Sequence, residues 1–161
     1  MSRRLIMAGE AGGVKTTPHD LISNEGPGFV LSASSRLGGG GPPIAFHAMN
    51  GNHLAGHEFH SNSENHPWWQ IAFKRAVELL NIDFRWRGND SWMLGGTDFI
   101  LQYSDDGENF TDVQAFSVEM GYEGPLTKIP VTGAGKHRYW RITGDFSDYM
   151  IIGEIELTYR R

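Results

Sequence analysis

A strict two-residue alternation, closed by an Asp-Gly turn, constrains this chain more than any other feature. In residues 98–110, DFILQYSDDGENF, Phe99, Leu101 and Tyr103 alternate with Ile100 and Gln102. Period two sends successive side chains to opposite faces of an extended strand. Ser104-Asp105-Asp106-Gly107 then stops the pattern, and Asp-Gly tolerates the positive backbone angles of a tight reversal. Phe110 resumes the apolar pattern, so a hairpin is predicted. The same period recurs at Leu80, Ile82, Phe84 and Trp86, between polar Asn81, Asp83, Arg85 and Arg87. That strand has one core face and one wet face.

Shorter apolar runs predict further strands at residues 29–35, 68–73, 113–118, 126–131, 139–143 and 151–159, about eight in all. Residues 44–49 suit a short turn of helix before the Asn50-Gly51-Asn52 bend. No repeat and no long amphipathic helix interrupts this series. At 161 residues the chain is the size of one domain with a real core. Two packed antiparallel sheets, an all-β sandwich of jelly-roll type, are the architecture expected.

Residues 1–28 carry weak periodicity broken by Gly9, Gly12, Gly13, Pro18, Gly26 and Pro27, and read as an extended N-terminal arm before a domain at 29–161. Such an arm either packs along its own domain or reaches a partner. Within it GEAGGVKTT, residues 9–17, approaches a phosphate-cradling loop, but Val14 replaces the second Gly and Pro18 opposes the helix that must follow. Nucleotide binding is not expected.

A net charge of -5 with scattered basic residues argues against nucleic acid, whose binding is driven by clustered Lys and Arg. The absence of Cys removes disulfides and thiolate chemistry. The apolar run after Arg3-Arg4 is too short for an export signal, and no stretch is long enough for a membrane span. A soluble protein made in the cytoplasm, with no membrane partner, is the expectation.

Several landmarks appear in order: AFHAMNGN at 45–52, WWQIAF at 68–73, LLNIDFRWRG at 79–88, YSDDGENF at 103–110, HRYWRITG at 137–144 and IIGEIEL at 151–157. Together, over residues 29–159, they resemble discoidin domains, also called coagulation-factor C-type domains, and related galactose-binding-like carbohydrate modules. The resemblance implies a galactose-binding-domain-like sandwich that holds ligand in loops at one end. It places Arg87, Asn89 and Trp92 in one such loop, Glu58 and His60 in an earlier one, and Phe146 or Tyr149 in the last. Those types suit a sugar, because an aromatic face packs on the pyranose ring while planar polar groups fork across adjacent hydroxyls. Each has a plainer reading too: Trp92 can cap the core, Arg87 can face solvent, and Phe146 can be a buried anchor.

The resemblance further implies a structural calcium between the bend and a late Glu, here Asn50, Asn52 and Glu154. Asn50 stands where a carboxylate is usual, which removes charge from the site. Alternatively Glu154 accepts backbone hydrogen bonds from the Asn50 loop. Five histidines, His47, His53, His57, His60 and His66, invite a zinc reading, yet HEFH at 57–60 lacks the metalloprotease spacing. A solvated His-rich loop fits better. No G-x-S-x-G occurs, and Asp105, Asp106 and Glu108 are explained by their turn.

The expectation is therefore a non-enzymatic recognition module that binds glycans, galactose-type sugars favoured. The rival is a structural component of a larger particle, such as a phage tail or virion decoration, docked or oligomerised through the N-terminal arm.

Overall fold

The alternating runs become strands, and one of them is far longer than the sequence suggests. The computed structural model describes residues 13–18, 20–38, 44–51, 58–86, 98–118, 126–144 and 147–161. The strands are β1 Val14–Thr16, β2 Glu25–Gly26, β3 Phe29–Ala33, β4 Phe59–His60, β5 Glu64–Asn65 and β6 Trp68–Trp86. They continue with β7 Asp98–Ser104, β8 Thr111–Ser117, β9 Thr127–Pro130, β10 Lys136–Gly144, β11 Ser147–Asp148 and β12 Ile151–Arg160. Ala45–Met49 forms a 3-10 turn, as residues 44–49 predict.

Hydrogen bonding follows the order β1-β12-β6-β10-β7-β8, with β3 and β9 also on β6, β2 on β3 and β4 on β12. β5 and β11 form a separate small ladder. The first half of β6 lies between β3 and β10, and its second half between β12 and β9. One strand therefore serves both layers of the antiparallel sandwich. The sequence predicts two strands here, 68–73 and the run through Trp86, because the alternation breaks twice. Lys74, Arg75 and Ala76 are exposed at a bend, where pairing with β10 jumps from Ala72 to Val77. Further on, the buried set changes phase from Val77 and Leu79 to Ile82 and Phe84, at a register shift opposite Thr158 and Tyr159. A bulge does this by adding one unpaired residue.

Phe84 in the second half of β6 meets Phe99 of β7 at 5.0 Å and Phe116 of β8 at 5.9 Å between ring centroids. Phe99 and Phe116 stack at 5.5 Å. This cluster joins the two layers across the core. Trp69 is buried and its Nε1 donates to the Ala45 carbonyl at 2.9 Å, which fixes the 3-10 turn against β6. In residues 13–28 the arm packs along its own domain. β1 adds to the edge of β12, and buried Thr17 donates its N–H to the Leu157 carbonyl while its hydroxyl accepts the Leu157 N–H.

The central hairpin closes as its residues predict. Asp106 accepts hydrogen bonds from the Ser104 hydroxyl and the Glu108 and Asn109 amides, each at 2.8 Å, and from the Asn109 side chain at 2.7 Å. The Asn109 side chain, then the two amides and Ser104, hold its carboxyl well below the usual carboxylate range. Gly107 has φ +82 and would place a Cβ 3.0 Å from the Tyr139 ring, so it meets both the conformational and the spatial demand for glycine. Asp106→Ala is expected to lower Tm and to speed amide exchange at Glu108 and Asn109, measured by hydrogen exchange. Unchanged protection there would show that the turn closes without the carboxylate.

Candidate functional site

Four segments converge at one end of the sandwich. β10 ends beside the start of β6, through Thr143 opposite Trp68, and β12 begins beside the end of β6, through Ile152 opposite Trp86. Residues 145–150 join β10 to β12, so both termini of β6 lie at this end. His60 of β4 pairs with Ile151, which brings the 58–66 segment to the same place. β5 and β11 pair Asn65 with Ser147 and Glu64 with Asp148 alongside.

Buried polar groups hold this end together. Ser61 is fully buried, donates its N–H to the Met150 carbonyl at 2.9 Å, and accepts the Met150 N–H on its hydroxyl at 2.8 Å. Glu64 accepts hydrogen bonds from the hydroxyls of Ser34 and Ser35. Those hydroxyls in turn accept the amides of Trp68 at 3.0 Å and Asn62 at 2.9 Å. The His60 carbonyl accepts the Leu37 amide at 2.9 Å. Three loops distant in sequence are thus locked before any ligand arrives. None of these scaffold residues was flagged from the sequence, because serines and a glutamate some thirty positions apart form no periodic pattern.

Of the predicted ligand residues, the structure brings His60 and Tyr149 together. Their rings meet edge to face at 5.2 Å, and both are half-buried. Glu58 lies two residues before His60, half-buried, with its carbonyl 3.4 Å from Nδ1 of His47. Arg87, Asn89, Trp92 and Phe146 lie outside the described residues, as does Asn52. Among the described residues no group of three or more His, Asp or Glu is placed to hold a metal, and His53 and His57 fall outside them.

Glu154 faces the Asn50-Gly51 bend and is 6 % exposed. Burial pushes its carboxyl up to about 7, against the pull of Arg85 opposite it and of the Gly51 amide. That amide is near enough to favour the charged form, yet neither carboxylate oxygen has a partner of normal hydrogen-bond geometry. The plainer reading of Glu154, as an acceptor for the bend, is therefore incomplete. Two buried orphan oxygens beside a bend rich in carbonyl and amide oxygens fit a hard cation such as calcium. Glu154 would supply the charge and the bend the neutral ligands, with Arg85 as the competing cation.

A family model, the F5/8 type C domain, matches residues 30–152. The chain belongs to this family. Solved structures agree on the fold at low identity. An F5/8-like neighbour, CpGH89CBM32-5 from Clostridium perfringens in complex with GalNAc-β-1,3-galactose, has a TM-score of 0.60 and 17% identity, covering 80% of this chain and 94% of that one. A fucose binding module of Streptococcus pneumoniae gives 0.59 and 18%, covering 79% and 88%. Chitosan-binding module 1, derived from a chitosanase/glucanase of Paenibacillus sp. IK-5, gives 0.58 and 20%, covering 86% and 98%. No curated protein matches the chain in sequence. No described helix is long and apolar enough to cross a membrane.

Proposed function

We propose that this F5/8 type C domain is a non-catalytic glycan-binding module whose ligand sits at the end of the sandwich where His60 and Tyr149 meet. The observation that carries the proposal is this His-aromatic pair, held half-exposed on loops that buried Ser61 and half-buried Glu64 have already fixed. Preformed loops spare the ordering cost that otherwise erodes weak binding. Tyr149 offers a ring face to the C–H side of a pyranose, and Glu58 offers a polar group to its hydroxyls, while His60, whose Nε2 is buried, sets the Tyr149 ring by its edge-to-face contact. Arg87, Asn89, Trp92 and Phe146 belong to the same proposal through the loops that leave this end. Galactose-type sugars are the favoured ligands, a choice supported by the GalNAc-β-1,3-galactose complex of one structural neighbour. A calcium ion on Glu154 with Asn50 and Asn52 would brace the bend next to the site.

The test is a glycan array probed with multivalently presented protein, with and without calcium, beside the Tyr149→Ala, His60→Ala and Trp92→Ala variants. Galactose-terminated glycans are expected to bind, and each variant to lose about tenfold or more in affinity, the size of a central aromatic or polar contact. A folded protein that binds no glycan at any density would defeat the proposal and put the particle-component reading first.

A further inference from the structure

A second feature lies on the outer face of the layer that contains β10. The registers align Gln70, Arg141, Gln102 and Asp112 in one row across β6, β10, β7 and β8. The neighbouring row runs through Trp68, Thr143 and Ile100. Trp68, Ile100, Gln102, Asp112, Arg141 and Thr143, with His66 and Gly144, line a cavity of about 420 Å3. It crosses three inter-strand spacings, roughly 14 Å at about 4.8 Å each.

Arg141 is its centre. The guanidinium carbon lies 4.4 Å from the Trp68 ring and 3.5 Å from the Phe110 ring, so the side chain is clasped between two aromatics. Nε and one terminal nitrogen donate to Gln70 Oε1 at 3.2 and 2.9 Å, which among the described residues leaves the Nη1 edge of the fork for another partner. Burial draws its pKa down to about 10, so the group stays charged at neutral pH. Across the floor, Gln102 donates to Asp112 Oδ1 at 2.8 Å, and Asp112 is exposed on β8. At the rim His66 has φ 52, and it is the only non-glycine residue with positive φ among the described residues. Such strain persists where surroundings impose it and concentrates at functional sites.

We propose that this groove is a second saccharide-binding site, taking a neutral glycan across β6, β10, β7 and β8. It shares the ligand class of the loop-end reading, and Trp68, Thr143 and His66 put its near edge at the loop end, but none of the residues proposed there as ligand contacts lines it. Arg141 and Asp112 cancel in charge, so a charged ligand gains little from the pair, and a net charge of -5 further disfavours an anion. Hydroxyls both donate and accept, which matches an Arg and Gln donor set facing a carboxylate acceptor along one row. Trp68 and Ile100 supply apolar surface for the C–H faces of the rings. A purely structural Arg ladder accounts for the clasp on Arg141 but not for the cavity beside it.

The experiment is an NMR titration of the 15N-labelled full chain with GalNAc-β-1,3-galactose, cellotetraose and chitotetraose. At least one probe is expected to shift the Trp68 indole and the Ile100 and Gln102 amides saturably, in the native chain and in a His60→Ala, Tyr149→Ala double variant. Asp112→Ala, at an exposed position, is expected to weaken that binding about tenfold and to leave Tyr149 shifts unchanged. Trp68→Ala should do the same, and the Asp112 variant keeps the test valid if the tryptophan change harms folding. Shifts confined to the loop end would overturn the groove site and leave the loop-end site standing; shifts nowhere would overturn both. A response only to a sulfated disaccharide, added as a fourth probe, would overturn the neutral-ligand assignment.

Discussion

Truncating Phe84 to alanine is expected to destabilise the domain by about 3–5 kcal/mol, the range for a fully buried aromatic whose cavity cannot collapse. Its ring is completely buried and touches Phe99 and Phe116 from the opposite layer. Loss of the ring removes apolar burial and also opens a void between two sheets held apart by their other side chains. Phe84→Leu keeps most of the volume and should cost about 1–2 kcal/mol. Urea unfolding monitored by tryptophan fluorescence measures both. An alanine penalty below about 1 kcal/mol would mean that the layers close over the gap, and that the cluster is not the joint described here.

The second large effect concerns Glu154. Its carboxyl titrates near 7 in the folded chain against an ordinary value of 4.5, chiefly because it is buried. In calcium-free buffer the folded state therefore binds more protons than the unfolded state between those pH values. The stabilisation is complete below about 4.5 and is lost as pH rises through 7. After allowance for screening the loss is about 2 kcal/mol between pH 4.5 and 8. Glu154→Gln should flatten this slope and be the more stable form at pH 8. Calcium favours the carboxylate, so it should raise Tm at pH 8 by an amount equivalent to about 2.7 kcal/mol at a hundred times Kd, and do nothing for the glutamine variant. Calorimetry across pH with calcium or chelator reads all of this. A calcium response that survives Glu154→Gln would place the ion elsewhere. A flat pH profile in the native chain would show that Arg85 already neutralises the carboxylate.

The strands were legible where one face is buried and the other wet, because burial writes period two directly into residue choice, as in residues 98–104 and 151–159. β6 was not, since its bend and bulge each reset the alternation, and resets look like turns. One signal was available: no Gly or Pro occurs from Trp68 to Trp86, so nothing there breaks a strand. The arm left both of its readings open because Val14–Thr16 is too short to show a period, and its pairing with β12 depends on a partner far away in sequence. At the candidate site, the family resemblance named His60 and Tyr149 among its loop residues, and the structure brings those two rings together. Residue type could not anticipate Ser61 or Glu64, whose role exists only once three loops meet. Arg141 was hidden for the same reason, since its aromatic clasp joins the first residue of one strand to the last residue of a hairpin.

A strand that belongs to both layers also leaves the molecule no natural fracture line. Neither sheet can form its centre without committing the chain to the other, and the first strand docks on the last through a Thr17–Leu157 contact spanning 140 positions. Contacts of that kind reward the chain only after most of it is already arranged, which makes the search for the native state slow and the finished domain all-or-none. The loop end inherits that property: with no half-built sandwich to stand on, His60 and Tyr149 are in position only when the whole domain is.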